Sequence, residues 1–260
     1  MTAAVAPISL CSKNGLLLKN PVFISDLHLS HDHPKTIERF LEFMKTTAPA
    51  FSELVILGDL FEMWVGDEQL EEYDAVIKAL RYFTDHCGRL FVMHGNRDFL
   101  LGRGFMEATN AILLNDPVLA TWRFETFLLS HGDQWCTLDP DYQQFRQQLR
   151  SPETQINILK EPLEVRVSMG NALRGQSHYD NSQKEDKKMD VVISDVSRFA
   201  RHYNAHTIIH GHTHKPSHMT HYIDDFRLDR WVLPDWDLDC AKPRGGYLSA
   251  SEGFLHITYF

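Results

Sequence analysis

The apolar positions of this chain fall into short runs of the kind that form buried strands, and five such runs end alike. Val22-Phe23-Ile24-Ser25 leads into Asp26-Leu27-His28, and Leu54-Val55-Ile56-Leu57 into Gly58-Asp59. Leu90-Phe91-Val92-Met93 leads into His94-Gly95-Asn96-Arg97-Asp98. Phe127-Leu128-Leu129-Ser130 runs into His131-Gly132-Asp133, and Thr207-Ile208-Ile209 into His210-Gly211-His212-Thr213-His214. Continuous apolar, β-branched runs suit strands buried on both faces of a parallel sheet. In open α/β sheets, ligands bind beyond the C-terminal ends of such strands. Gly58-Asp59 alone reads as a turn after a strand. One grammar repeated along the chain, always ending in oxygen or nitrogen donors, reads as a site.

Between the runs the period changes. Pro34 opens a stretch in which Ile37, Phe40, Leu41 and Met44 recur at helical spacing. Residues 68–87, with Val76, Ile77, Leu80 and Phe83 on one face and Gly88 after them, predict a second amphipathic helix. Each helix leads to the next apolar run, the pattern of βαβ units. Residues 111–133 predict strands around the turn at 123–125. Residues 141–150 predict a short helix. The surrounding block 134–190 is interrupted by Pro152 and Pro162 and becomes almost wholly polar over 178–188. Lying between two donor-bearing runs, it reads as an insertion covering the mouth of the site. Residues 191–203 return to helical period, and Trp231-Val232-Leu233 and 247–260, turning at Glu252-Gly253, predict closing antiparallel strands. The expected organisation is a tail over 1–20, with Leu16-Leu17-Leu18 as an added edge strand, and one domain over 21–260. The lid occupies about 134–190 of that domain.

Composition narrows the function classes. With 260 residues, net charge -9 and pI near 5.9, the chain has no overall basic character for nonspecific binding to nucleic acid. The four cysteines, Cys11, Cys87, Cys136 and Cys240, form no CxxC pair, so neither a zinc cage nor a disulfide framework is expected. Residues 1–20 lack a basic stretch followed by a sustained apolar run, and no segment approaches the ~20 apolar residues that span a bilayer. A soluble or peripheral protein of the reducing cytoplasm fits.

Asp26, His28, Asp59, Asn96, His131, His212 and His214 supply seven N and O donors, more than one ion takes and enough for two ions sharing a carboxylate. Asp59 is the natural bridge, since it has two oxygens and ends a central strand. Asp26, His28 and His214 would complete one site, and Asn96, His131 and His212 the other. Mixed N/O donors without thiolate favour Mn²⁺, Fe²⁺ or Zn²⁺. Two ions ~3.5–4 Å apart activate a water and clamp an in-line displacement at phosphorus. His94 and His210 are expected to support ligands rather than to be ligands. His31, His33, His86, His202, His206, His218, His221 and His256 are expected in the core or on the surface.

The order D-x-H, G-D, G-N-x-D, H-G, G-H-x-H resembles the calcineurin-like metallophosphoesterase superfamily. That resemblance implies an α/β fold, a metallophosphoesterase-type α/β/β/α sandwich with a helical insertion lid. Gly58-Asp59-Leu60-Phe61-Glu62 through Trp64-Val65-Gly66-Asp67 is also similar to a stretch of the UDP-2,3-diacylglucosamine pyrophosphohydrolases. So are Gly95-Asn96-Arg97-Asp98-Phe99-Leu100-Leu101-Gly102, His131-Gly132-Asp133 and His210-Gly211-His212-Thr213-His214-Lys215-Pro216. This closer resemblance runs from about residue 22 to the C-terminus. It implies cleavage of the pyrophosphate of UDP-2,3-diacylglucosamine to UMP and 2,3-diacylglucosamine 1-phosphate (lipid X) in lipid A assembly, usually with two Mn²⁺. It implies Asp59, Asn96, Arg97 and His131 as catalytic residues. Substrate contacts carried over from it fall on Asn96, Arg97, Asp139, Ser177, Asn181, Lys184 and His212. The setting it implies is the cytoplasmic face of the inner membrane, with the protein attached peripherally, a lipid-linked sugar as partner and no nucleic acid.

Two departures bear on the lid. Glu164, Ser168 and Asn171 dilute the arginines and bulky apolar residues common there, leaving Arg166 and Arg174, and His178 follows Ser177 where lysine is common. Leu159, Leu163, Val165 and Leu173 are the expected lining of an acyl chamber. Arg97 stands where many calcineurin-like enzymes carry a histidine able to protonate a leaving group. Arginine stays protonated and can only hold and neutralise phosphate oxygens. A sugar 1-phosphate, with a second pKa of ~6, leaves without a proton, whereas an alkoxide does not. The rival within the class is a calcineurin-like phosphoesterase acting on nucleotides or phosphodiesters. The rival outside it is a noncatalytic metal-binding scaffold.

Overall fold

The computed structural model describes residues 15–183, 190–251 and 253–260, with the backbone alone at 176–183. Two six-stranded sheets form its centre. The first is ordered β12 (Phe254–Tyr259), β11 (Gly246–Ser251), β2 (Pro21–Ile24), β3 (Glu53–Leu57), β4 (Arg89–Met93), β5 (Ile112–Leu114). The second is ordered β1 (Leu16–Leu18), β6 (Val118–Trp122), β7 (Glu125–Ser130), β8 (Thr207–His210), β10 (Phe226–Val232), β9 (Ser217–Ile223).

Alternation along the strands builds the layers, because successive side chains of a strand point to opposite faces. On β3, Leu54 and Ile56 join Val22, Ile24, Leu90 and Val92 against Phe40 and Phe43 of α1 (Pro34–Thr46) and Leu80 and Phe83 of α2 (Asp74–His86). Its other residues, Val55 and Leu57, meet Phe23, Phe91, Ala120, Phe127, Leu129 and Ile209 between the sheets. Behind the second sheet, Leu128, Ile208 and Leu228 pack on Val196 and Ala200 of α7 (Ile193–His202). Helix, sheet, sheet and helix stack in that order. Each fully buried aliphatic or aromatic side chain contributes ~1.5–3 kcal/mol, so the doubly buried strands are the rigid part of the molecule.

Several elements differ from expectation. The second helix starts at Asp74, because Asp67–Leu70 form a 3₁₀ turn first. The short helix α3 (Arg103–Thr109) and the strand β9 were not legible as periodic patterns. β9 is an edge strand, and its exposed Met219 and Tyr222 show why its composition gives no inward face. β1 pairs in parallel with β6, and Trp122 Nε1 donates to the Lys19 carbonyl at 3.0 Å, so the last residues of the supposed tail belong to the second sheet.

The block at 134–190 contains α4 (Pro140–Leu149), α5 (Pro152–Lys160) and α6 (Leu163–Gln183). The two prolines that interrupt it start α5 and precede α6, positions where a missing N–H costs nothing. Asp139 and Ser151 cap α4 and α5 by accepting from Tyr142 N and Thr154 N. The lid is pinned to the sandwich by buried charge. Arg166 of α6, 3% exposed, reaches Glu68 Oε1 at 2.6 Å and the Val65 carbonyl at 2.5 Å. From the α4 side, Arg146 and Arg150 meet Asp133 Oδ2 at 2.8 and 3.2 Å.

Candidate dimetal site

All seven expected donors stand at the C-terminal ends of strands: Asp26 and His28 after β2, Asp59 after β3, Asn96 after β4, His131 after β7, and His212 and His214 after β8. The backbone there is strained in a consistent way. Asp26, His28, Asp59, His212 and His214 all have positive φ, between 49° and 66°. For non-glycine residues this conformation is uncommon and costs of order 1–3 kcal/mol each. It persists because the loops over-determine each other. Leu27 N and His28 N both donate to the Asp59 carbonyl, at 2.9 and 3.1 Å, and His212 N donates to both Asp26 oxygens, at 3.0 and 2.9 Å.

The glycines of the motifs permit that approach. A Cβ on Gly58, whose φ is 89°, would lie 2.6 Å from His131 Nδ1, and one on Gly95 would lie 2.0 Å from Asp59 Oδ1. Asp98, the last residue of G-N-x-D, is fully buried and accepts from Gly95 N at 2.8 Å and Leu60 N at 2.8 Å. It welds the Asn96 loop to the Asp59 loop. Arg97 N donates to Asp59 Oδ1 at 2.8 Å from the same turn.

Two groups of donors result. In one, His28 Nε2 and His214 Nε2 are 3.3 Å apart, and His214 Nε2 is 3.7 Å from Asp26 Oδ1. In the other, Asn96 Oδ1 lies 2.9 Å from both His131 Nε2 and His212 Nδ1. Asp59 Oδ2 is 3.8 Å from His28 Nε2 and 3.7 Å from His131 Nε2, between the groups. Asp26, His28 and His214 offer ligand atoms within 4.8 Å of one another, and so do Asp26, Asp59 and His131. Asp26 therefore faces both groups, an overlap that spacing along the chain did not show.

The residues fit divalent cations on their hydrogen-bond chemistry. His131 Nδ1 points at the Leu57 carbonyl, 2.9 Å away, which can only accept, so Nδ1 holds the proton and Nε2 presents a lone pair. His28 Nδ1 lies 2.8 Å from Glu62 Oε2 and His214 Nδ1 3.3 Å from Asp235 Oδ2, while the two Nε2 atoms stand 3.3 Å apart. Two imidazole nitrogens ~2.1 Å from one ion at tetrahedral or octahedral angles are ~3.0–3.4 Å apart, the separation seen here. Burial lowers the pKa of His131, but Asp59, Asp133 and Asp26 outweigh it and raise the group to about 9. A proton and a divalent ion compete for that one lone pair.

Glu62, Asp235 and Asp98 escaped sequence reading as functional residues. The signal for Asp98 and Glu62 lay in motifs already recognised, G-N-x-D and G-D-L-F-E. Asp235 lies in a segment with no such grammar, and only the fold brings it to His214. His210 is a supporting residue: its Nδ1 faces the Gly211 carbonyl at 2.8 Å, and Nε2 accepts from Arg230 Nε at 2.9 Å. His94 likewise gives Nε2 to the Leu101 carbonyl at 2.8 Å.

A cavity of about 630 Å³ opens over the donors and beneath the lid. Arg97, Arg174, Lys215 and Asp139 line it, as do the apolar side chains of Trp64, Phe99, Leu100, Phe145, Met169 and Leu173. Of the four lid residues expected to line an acyl chamber, Leu173 is among those that line this cavity. Leu159 and Val165 are absent from the lining and are 40% and 42% exposed, and Leu163 is also absent. Helix phase is the reason: Arg166, Met169, Gly170 and Leu173 form the inward stripe at i, i+3, i+4, i+7, and α5 contributes Ile158. Asp139 is 8% exposed and caps α4. Ser177 and Asn181 fall on α6 where side chains lie outside the described residues, and Lys184 lies outside them altogether.

Comparison with known proteins places the chain. Residues 21–216 match the family model of the calcineurin-like phosphoesterases. The chain is 44% identical over 216 residues to the UDP-2,3-diacylglucosamine hydrolase of Chromohalobacter salexigens, covering 83% of this chain and 88% of that one. It is 38% identical to the protein of the same name from Bordetella pertussis, covering 90% and 93%, and 39% identical to that of Pseudomonas syringae pv. syringae, covering 92% and 95%. The chain belongs to the calcineurin-like phosphoesterase family, and its donor set implies divalent metal ions.

Proposed function

We propose that the protein hydrolyses the pyrophosphate bond of UDP-2,3-diacylglucosamine, releasing UMP and 2,3-diacylglucosamine 1-phosphate. The observation that carries this reading is the double character of the cavity. One wall presents the dimetal donors with Arg97, Arg174 and Lys215, suited to a pyrophosphate; another presents Trp64, Phe99, Leu100, Met169 and Leu173, suited to hydrocarbon. Its volume of about 630 Å³ falls in the ordinary range for ligand sites, ~300–1,000 Å³. A nucleotide or simple diester would leave the apolar wall uncovered. The relatives' shared name supports the same substrate.

Asp26, His28, Asp59 and His214 would hold one ion, and Asp59, Asn96, His131 and His212 the other; Mn²⁺ is the expected metal of both. When bound, the pair supplies a nucleophilic water and charge neutralisation at phosphorus. Arg97 and Arg174 hold the phosphate oxygens of the sugar half, and Asn96 and His212 border the same phosphate. Ser177, Asn181, Lys184 and Asp139 are the remaining expected contacts to the sugar and its chains. No proton donor to the leaving group is required, because a sugar 1-phosphate is stable as an anion.

Among the described residues no helix is long and apolar enough to cross a membrane. A lipid-linked substrate still requires access to a bilayer. Leu138, Ile156, Leu159 and Val165, exposed on or beside the lid helices, are the surface by which the protein attaches peripherally to the cytoplasmic face of the inner membrane. The deciding experiment offers purified protein with Mn²⁺ three substrates: UDP-2,3-diacylglucosamine, UDP-N-acetylglucosamine and a nitrophenyl phosphodiester. Preference for the first by orders of magnitude is expected. Equal rates on the two UDP-sugars would overturn the assignment of the acylated substrate.

A further inference from the structure

Each six-stranded sheet ends in two edge strands, β1 and β9 in one and β12 and β5 in the other. An edge presents a row of unpaired N–H and C=O groups, and proteins guard it by shortness, charge or proline. β1 and β5 are three residues long. β9 is bracketed by Lys215-Pro216 before it and Asp224-Asp225 after it. β12 has no such guard. In a chain that is 23% charged, its six residues, Phe254-Leu255-His256-Ile257-Thr258-Tyr259, include no Asp, Glu, Lys, Arg or Pro. Phe254 is 76% and Tyr259 58% exposed.

The direction of the free backbone groups follows from the pairing with β11. Phe260 N donates to the Gly245 carbonyl at 3.1 Å, so the backbone groups of Phe260 turn toward the β11 side. Alternation turns those of Phe254, His256 and Thr258 the same way, and those of Leu255, Ile257 and Tyr259 outward. Among the described residues no backbone bond joins these three outward positions to another segment. The side chains of Leu255 and Ile257 pack only partly buried on the core between the sheets.

We propose that β12 pairs antiparallel with β12 of a second copy of this chain, about a two-fold axis through Ile257, so that the two β12-edged sheets become one. In that register Leu255 stands opposite Tyr259 of the second copy, Ile257 opposite its own equivalent, and His256 opposite Thr258 of the second copy. All three outward positions then meet as the bonded pairs of an antiparallel ladder. Moving the axis to His256 or Thr258 leaves Tyr259 or Leu255 with no strand residue opposite it. A two-fold interface demands such self-complementarity, because one patch serves both copies. The register also sets no charged side chain of the strand against a like charge, although the chain carries -9 overall. Strand pairing alone is a small interface. Phe254 and Tyr259 of both copies add aromatic area and bring it toward the ~1,200 Å² at which specific complexes begin, so association is reversible. Antiparallel pairing reverses strand direction, so the two cavities open at opposite ends of the pair and each copy works alone.

Sedimentation velocity on the full-length chain from ~1 to ~100 µM reads the association. A shift from 30.1 kDa toward twice that mass is expected as concentration rises. Hydrogen exchange on the same samples should slow at the amides of Leu255, Ile257 and Tyr259, and stay unchanged at His256 and Thr258, which already face β11. His256→Asp combined with Thr258→Asp sets carboxylates opposite one another between the copies and is expected to weaken association ~10-fold or more. His256→Asp combined with Thr258→Lys sets opposite charges in the same places and is expected to restore it. A mass that stays at 30.1 kDa, or exchange at the three outward amides that ignores concentration, would overturn the proposal. So would association that survives the paired carboxylates or fails to return in the Asp–Lys variant.

Discussion

At position 97 an arginine stands where a histidine would bring a titratable proton, and its backbone N–H is committed to Asp59 Oδ1 at 2.8 Å. Replacing the side chain therefore leaves the loop and the donors in place. Arg97→Ala is expected to keep both ions while pyrophosphate turnover falls ~10²–10³-fold, the usual cost of one preorganised charge donor. Metal content and kcat measured on the same preparation check it; loss of metal would mean that the side chain holds the loop. Gly95 is the complementary case, because the clash is with Asp59 itself. Gly95→Ala must push the added methyl off Asp59 Oδ1, so Mn²⁺ affinity is expected to fall more than tenfold with a stability loss of ~1–3 kcal/mol. Calorimetric titration and thermal melting measure the two effects separately. Gly95, pressed against Asp59, and Arg97, which lines the cavity, are thus expected to act on opposite sides of the site, one shaping the metal donors and the other facing the space above them.

The lid shows what a helix can decide that its sequence pattern cannot. Along α6 apolar and polar residues alternate too loosely to reveal an inward face from the sequence alone; the stripe is set by Arg166 bonding to Glu68 and Val65 and by Gly170, where a Cβ would come within 2.2 Å of Met63 Sδ. Polar substitutions at Met169 and Leu173 are expected to cut turnover of the diacylated substrate ~10–100-fold, since each apolar side chain contributes ~1.5–3 kcal/mol only when a chain packs on it. A nitrophenyl diester should be nearly unaffected. The same substitutions at Leu159 and Val165 should leave detergent-solubilised substrate turnover unchanged. Equal losses on both substrates at Met169 and Leu173 would mean that these residues merely hold the lid together.

At the scale of the whole molecule, stability depends on joints far from the site. Glu53, at the start of β3, accepts from Lys19 N at 3.0 Å and Asn20 N at 2.9 Å and meets Arg89 at 2.9 Å, tying β1 and β2 to the start of β4. Burial raises its pKa, but Arg89 and the two backbone donors more than offset this and hold it below the ordinary 4.5. A depressed carboxylate contributes stability that is fully present above 4.5 and is lost as pH falls through its folded value. Glu53→Gln is expected to lower stability by roughly 1–3 kcal/mol at neutral pH. The gap between variant and wild type should narrow below pH 4.5. Denaturant melts at several pH values test the slope; a gap independent of pH would remove the charge from the explanation.

Sequence alone determined the two kinds of feature that depend on local order. Apolar runs long enough to be buried on both faces gave β2, β3 and β4 in one sheet and β7 and β8 in the other, and within each sheet the polar residues that end them emerge at the same edge because parallel neighbours share a direction; the stacking of the sheets brings the two edges together. The convergence of the seven candidate donors was legible for that reason, and the presence of all of them told against a mere scaffold. Tertiary structure alone decided what depends on distance between segments: that Asp26 faces both donor groups, that Asp235 reaches His214, that β1 completes the second sheet, and that Leu173 lines the cavity while Leu159 does not. A strand's period of two leaves little freedom once both faces are apolar. A helix of mixed polarity, or a lone aspartate after a closing strand, takes its role only from what the fold sets against it.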